Sequence, residues 1–363
     1  MAAYRSLRHL DWVMILVALA IAAIGILQIY SATLDTAWRS AWWKQAVFLC
    51  AGLAAMWMMT RIDYHTLLGQ LPVLYAASLG LLVLTPVVGS LVWGSKRWIP
   101  LGFGFKFQPS EFVKLVIVLL VARYLAELKS DRLELRDLVK LSLLVGIPCG
   151  LVAAQPDLGT SLTYVPIVLA GMFFGGIRWQ HVALVGVAAA LLMPAGWYLL
   201  KDYQKARLET FLDPMKDPTG KGYQVIQSKI AVGAGGIWGR GVARGSQTQL
   251  RFLPVAHTDF IISAFAEEHG FIGVLVVLGL YFLLLMQIVQ NAQAAPDRAG
   301  MSICMGICSL LLFHLLVNVG MAAGRMPVTG IPLPLMSYGG SSTLSVFLML
   351  GLVNNVRLRR FAA

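Results

Sequence analysis

AHTDFIISAFAEEHGFIGVLVVLGLYFLLLM, residues 256–286, joins two halves that want different solvents. From Gly270 to Met286 it carries no charge and is apolar enough to sit in hydrocarbon, whereas the approach to it threads three carboxylates, Asp259, Glu267 and Glu268, through the chain. A helix satisfies all its backbone polar groups within one segment, so the stretch reads as a transmembrane helix entered through a polar mouth. On helical spacing Asp259, Ser263 and Glu267 fall at i, i+4 and i+8 and form one polar stripe. At roughly 1.5 Å per residue, 259–290 outruns a bilayer core, so its first turns protrude or line a cavity with Asp259 at the mouth.

The rest of the chain shares that solvent. Of its 363 residues 58% are hydrophobic and 13% charged, against about 25% charged in globular domains, and the mean hydropathy is +0.74. The net charge of +12 could signal nucleic acid in a soluble protein, but the basic residues cluster between apolar runs, as membrane-retention signals do. The expected partner is a membrane surface, with no nucleic acid. Cys50, Cys149, Cys304 and Cys308 lie inside apolar runs without the spacing of a zinc site, and are expected to pack.

Apolar runs of about 20 residues give an all-α polytopic membrane protein with ten helices at 12–32, 42–60, 71–93, 109–128, 138–154, 159–177, 180–200, 260–290, 300–322 and 339–357. The first lacks a cleavage site and is expected to stay as a permanent helix. Arg5, Arg8, Arg61, Arg123, Lys129, Arg132, Arg136, Lys140, Arg178, Arg298, Arg357, Arg359 and Arg360 all fall on one side, which places both termini in the cytoplasm. The loop from about 201 to 258, between helices seven and eight, then faces outward, with a short amphipathic helix expected around Tyr223 to Val232. No second domain is expected.

This topology puts four polar motifs at outer helix starts: FQPSEFVK (107–114), QPDLGTS (155–161), HTDF (257–260) and SYGGSST (337–343). Converging helix N-termini would favour an anion, such as a phosphate-bearing lipid. Each motif also has a plainer explanation. Asp259 and Asp157 could cap helices, Glu111 and Lys114 could simply orient helix four, and Ser337, Ser341 and Ser342 could serve close packing. GSKRWIPLGFGFKF (94–107) is either an interfacial belt, with Trp98 at headgroup depth and Lys96, Arg97 and Lys106 in water, or a phosphate clamp. AELKSDRLELRD (126–137) reads as a solvated face.

RWIPLG with QPSEFVKL, QPDLGTS, GYQVIQSKIAVGAGGIWGRG, HTDFI with AEEHGFIG, and GIPLPLMSYGGSS together resemble the SEDS family of bacterial morphogenesis proteins, the RodA and FtsW group, nearly end to end. HLDW, QPSE and GIPLP are more similar to RodA than to FtsW, with the sporulation paralogue also close. The resemblance implies a glycosyltransferase of the bacterial cytoplasmic membrane that polymerises lipid II at the outer leaflet during elongation, with a class B penicillin-binding protein and other elongation-complex membrane proteins as partners. It also implies that Asp259, at the family's essential acidic position, is catalytic. The chain has no nucleotide-binding unit and no Asp-x-Asp metal motif, so a nucleotide sugar is not the expected donor; no organic cofactor is expected.

Forming a β-linkage from an α-linked pyrophosphate inverts the anomeric carbon, so one displacement with one base suffices; that base is expected to be Asp259. Lys44, Lys96, Arg97, Lys114, Arg325 or a divalent cation would neutralise the leaving group. Trp98, Gln108, Glu111, Asp157, Ser263, Glu267, Ser337, Ser341 and Ser342 complete the candidate substrate contacts. A lipid flippase, a division-type polymerase and a pure scaffold are the alternatives. No inverted repeat is visible and the motifs crowd the outer face, which disfavours a transporter, and a scaffold leaves Asp259 unexplained.

Overall fold

The computed structural model describes residues 9–92, 95–102, 105–128, 132–199, 202–216 and 220–360. Arg5, Arg8, Lys129 and Lys201, used above for orientation and the loop boundary, lie outside the described residues. The chain runs through α1 (Trp12–Thr33), α2 (Ala41–Arg61), α3 (Tyr64–Gly69) and α4 (Leu71–Val88), then a three-stranded antiparallel sheet of β1 (Ser90–Val92), β2 (Ser95–Gly102) and β3 (Phe105–Phe107). It continues through α5 (Pro109–Ala126), α6 (Leu135–Ala154), α7 (Leu158–Leu162), α8 (Tyr164–Phe174), α9 (Trp179–Leu199), α10 (Asp202–Leu212), α11 (Lys221–Gly235) and α12 (Ser246–Gln249). It closes with α13 (Ile261–Gln293), α14 (Arg298–Ala322) and α15 (Gly340–Arg359). Each of the ten stretches expected to span a bilayer is helical over most of its described length, and α1, α4, α6, α13 and α14 are long and apolar enough to cross one by length and composition.

Four details depart from the sequence expectation. The third span, expected to reach residue 93, stops at Val88 before Gly89, and the aromatic patch after it folds as the small sheet. The sixth is two helices, because Pro166 has no N–H to give the carbonyl of Leu162 and its ring crowds that carbonyl. The loop expected to face outward is itself largely helical over its described residues, and the expected amphipathic helix is α11. Cys50 sits on an exposed face and does not pack; Cys149 is half-buried, and Cys304 and Cys308 are buried.

The eighth span, α13, is broken at Gly270, whose backbone (φ 67°, ψ −169°) is not helical. A break strands backbone groups on both sides, and the GGIWGRG segment after α11 takes them up. Arg240 and Gly241 amides donate to the carbonyls of Glu267 and Glu268 (2.9 Å each), while the amides of Phe271 and Ile272 donate to Gly236 and Ile237 (2.9 and 3.2 Å). The segment after α11 is thereby stitched into α13. Gly270 has no room for a side chain, since a Cβ would meet the Ile237 carbonyl and the Trp238 backbone at 2.5–2.6 Å, in a left-handed conformation as well. Gly270→Ala is expected to cost more than about 1–2 kcal/mol and to lower the melting temperature in detergent; an unchanged melt would mean that the loop yields freely.

At the end away from the polar motifs, Asp11 caps α1 by accepting from the Met14 amide (3.0 Å) and also accepts from Asn291 (2.6 Å) and Arg357 (3.2 Å). This pins the starts and ends of α1, α13 and α15 together. Small residues let the helices close up: at Gly351 of α15 a Cβ would stand 2.7 Å from the Met56 carbonyl of α2.

Candidate functional site

The four polar motifs meet. Gln108, just before α5, donates its side-chain amide to Asp157 (2.9 Å), and its backbone amide donates to Ser341 of α15 (3.0 Å). Ser337 donates to the Thr258 carbonyl (2.7 Å), and the Tyr338 amide donates to the His257 carbonyl (3.0 Å), which joins the start of α13 to the start of α15. Gln45 of α2 holds the latter by donating to Thr343 (2.8 Å) and accepting from the Gly339 amide (3.1 Å).

Asp259 is in the middle of this junction and does not cap α13. The N-cap is Phe260, with no side-chain cap bond, while Asp259 Oδ2 lies over Gly330, 3.7 Å from where a Cβ would stand. Gly330, with φ +74°, takes a left-handed backbone that favours glycine and forms the floor beneath the carboxylate. Asp259 lies just outside the span, half-buried but still accessible. Desolvation pushes its carboxyl above the usual range, and the Arg97 and then Arg207 guanidiniums oppose that shift. A carboxylate so placed is a stronger base than a free one. Burial pushes the neighbouring His257 imidazole down to about 4, so the ring is neutral; it packs at 5.2 Å from Trp38 and 6.0 Å from Tyr338.

Arg97 arrives on β2. It pairs with Asp157 (3.1 Å), and its guanidinium stacks on Trp98 at 4.2 Å. Asp157 also accepts from the Thr160 amide (3.3 Å), so it caps α7 as well as holding Arg97 and Gln108. The aromatic patch thus brings Arg97 on β2 to Asp157 at the junction.

The chain matches the FtsW, RodA and SpoVE cell cycle protein family over residues 11–361. It belongs to that family. Peptidoglycan glycosyltransferase MrdB of Escherichia coli K12 is 38% identical, with 97% of this chain and 94% of that protein aligned. A solved chain from a peptidoglycan synthase complex, described as coordinating polymerization and crosslinking, has a TM-score of 0.84 at 38% identity and covers 98% of this chain and 99% of its own. The rod shape determining protein RodA of Thermus thermophilus has a TM-score of 0.72 at 32% identity, covering 97% and 98%.

In this FtsW/RodA/SpoVE family member several candidate contacts serve the frame around the junction. Ser263 bonds Ser228 of α11 (2.8 Å), which donates to the Ala322 carbonyl (3.1 Å). Glu267 is fully buried and accepts from the amides of Gln247 (2.7 Å) and Thr248 (3.0 Å) and from the Thr248 hydroxyl (2.7 Å). The stripe below Asp259 therefore faces the folded loop and not a cavity. Glu267→Gln replaces a charged acceptor by a neutral one, with an expected loss of about 1.5–3 kcal/mol in holding residues 246–249. Faster amide exchange there, with polymerisation only several-fold lower, is the expected result; a loss as complete as that of an Asp259 variant would place Glu267 at the substrate.

Lys114 and Glu111 pair at 2.8 Å inside the core, and Lys114 also approaches Nε2 of His314 (3.4 Å). His314 Nδ1 donates to the Pro332 carbonyl (3.0 Å), so the charge pair props the loop that carries Gly330. Ser341 donates to the Lys106 carbonyl (3.2 Å), Ser342 and Lys44 are half-buried, and Lys96 and Arg325 are exposed. Among the described residues no group of three or more His, Cys, Asp or Glu side chains could hold a metal ion. Arg207 and His314 escaped the sequence reading. An ionisable residue inside an apolar span is a legible signal for His314; Arg207 had none.

Proposed function

We propose that this chain polymerises lipid II into glycan strands at the outer face of the bacterial cytoplasmic membrane during elongation and shape maintenance, with Asp259 as general base. The carrying observation is that Asp259, at the meeting point of four motifs, caps no helix and lies beside two arginines. The acceptor hydroxyl oxygen attacks the donor's anomeric carbon, its proton passes to Asp259, and the bond to the pyrophosphate oxygen breaks with its electron pair leaving on the pyrophosphate. The anomeric configuration inverts in that single displacement. Arginine charge, or a divalent cation held by Asp259 and the substrate phosphates, would offset the charge that develops.

The membrane helices and their loop offer no serine transpeptidase for crosslinking peptides, so a class B penicillin-binding protein is the proposed partner, within a larger elongation assembly. The solved relative from a complex that couples polymerization to crosslinking supports this. The partner is proposed to dock on the outer face and on α13 and α14, where Phe271, Leu275 and Leu316 are exposed, and to raise activity by positioning the stitched loop. The test is labelled lipid II with the purified protein in detergent, alone and with the partner. Glycan polymer is expected, more of it in the complex. Equal turnover would remove the activating role, and lipid transfer across vesicles without polymer would favour the flippase.

A further inference from the structure

Helix α10, DYQKARLETFL, presents Gln204, Arg207 and Leu208 at i, i+3 and i+4 on one face. That face closes a groove against Leu158 and Leu162 of α7 and against Pro327, Val328 and Thr329 of the loop after α14. The groove walls are largely apolar. Arg207 is half-buried in them and donates from Nη1 to the Thr329 carbonyl (3.2 Å). Thr329 directly precedes Gly330, over which Asp259 lies, and the Arg207 guanidinium acts on the Asp259 carboxylate, so the arginine side of the groove lies near the base.

None of the other candidate cations lines this groove. Arg97 is spent on Asp157 and Lys114 on Glu111, Lys96 and Arg325 are exposed, and Lys44, half-buried on α2, does not line this groove. Among the described residues no carboxylate lies within ion-pair distance of Arg207. A guanidinium has five N–H donors, and one contact with Thr329 leaves most of them for a ligand. A half-buried arginine with no direct ion pair among the described residues, beside an apolar groove and near the Asp259 carboxylate, is complementary to a lipid with an anionic head.

We propose that this groove seats the isoprenoid pyrophosphate, with Arg207 on the pyrophosphate and Leu158, Leu162, Leu208 and Val328 around the first isoprene units. The assignment rests on the glycosyltransferase reading above and names the place where the leaving group is held. A nucleotide or free sugar would leave the groove's apolar walls unused, whereas an isoprenoid buries them at about 25 cal/mol per Å². When the glycosidic bond forms, the electron pair of the breaking C–O bond stays on the pyrophosphate, and Arg207 stabilises that charge without itself gaining or losing a proton. Because α10 belongs to the outward loop, the seat is complete only when the loop is docked. Gly159 keeps α7 against the Thr329 carbonyl, where any side chain would push the groove open.

The test uses the full-length protein in detergent, with undecaprenyl pyrophosphate as the probe and undecaprenyl monophosphate and inorganic pyrophosphate as comparators. Arg207→Gln is expected to weaken undecaprenyl pyrophosphate binding at least tenfold and to lower kcat for lipid II about 10²-fold, as for loss of one oriented charge donor. Asp259→Asn should bind the probe like wild type. Arg207→Lys, which keeps the charge and guards against misfolding, should lose less than Arg207→Gln and still prefer pyrophosphate to monophosphate. Leu208→Ser should weaken the prenylated probe and leave inorganic pyrophosphate unchanged. Wild-type probe affinity in both Arg207 variants, or an unchanged affinity in Leu208→Ser, overturns the seat. A wild-type protein that binds the probe but never polymerises lipid II would instead overturn the glycosyltransferase reading and leave the seat standing.

Discussion

Asp259→Asn should fold, insert and bind its partner while lipid II polymerisation falls by at least about 10²-fold, the loss typical of removing a positioned base. Asparagine is as good an N-cap as aspartate, so a capping role would leave activity near normal. The structure sharpens that contrast, because Phe260 occupies the cap position of α13 without any side-chain bond, and stability owes nothing to capping by Asp259. The neighbouring charges also tolerate the change: Arg97 keeps Asp157 as its partner at 3.1 Å. Melting temperature and partner co-purification should therefore stay at wild-type values while turnover collapses. The pH profile supplies a second reading. Desolvation raises the Asp259 pKa, and a base works only when deprotonated, so the acidic limb of kcat should rise with pH at a position above the ordinary carboxylate range. A near-wild-type rate for Asp259→Asn, or an acidic limb at the pKa of a free carboxylate, would remove Asp259 from the chemistry.

The membrane helices were legible because hydrocarbon demands uninterrupted apolar runs, whereas the break between α7 and α8 near Pro166 was not, since Pro86 and Pro148 sit inside unbroken helices. The convergence of four motifs was legible as well, since positive charge fixes orientation and orientation puts those motifs on one face. The sequence pattern could not say what covers a polar stripe. Asp259, Ser263 and Glu267 share helical spacing, yet only the first meets the open junction, while the other two meet α11 and α12, which sit tens of residues away in the chain. The sheet at 90–107 was masked by its aromatic and basic composition, which suits a headgroup belt equally well. Arg207 was hidden for a related reason: in DYQKARLETFL a charge every few residues is also the signature of a solvated helix, and only the groove against α7 distinguishes it.

Lys114→Met should be among the most destabilising single substitutions in the chain. Lys114 and Glu111 are almost fully buried, and their attraction offsets a large desolvation cost only while both are present. Removing the lysine leaves a carboxylate in the core with a single weak partner, the Ser345 hydroxyl at 3.4 Å, and such a change costs about 3–5 kcal/mol. It also strips His314 Nε2 of its donor while Nδ1 is still engaged with Pro332, so the loop above loosens towards Gly330 and Asp259. Replacing both partners by apolar side chains removes the unmatched charge, and buried pairs exchanged in this way are often neutral in stability. The double variant Glu111→Leu, Lys114→Met should therefore melt well above Lys114→Met alone, short of wild type by about 1–3 kcal/mol for the unsatisfied imidazole. Thermal melts of the three proteins in one detergent decide it: a Lys114→Met melt at the wild-type temperature, or a double variant no better than the single, would show that the pair does not act as a coupled prop beneath the catalytic floor.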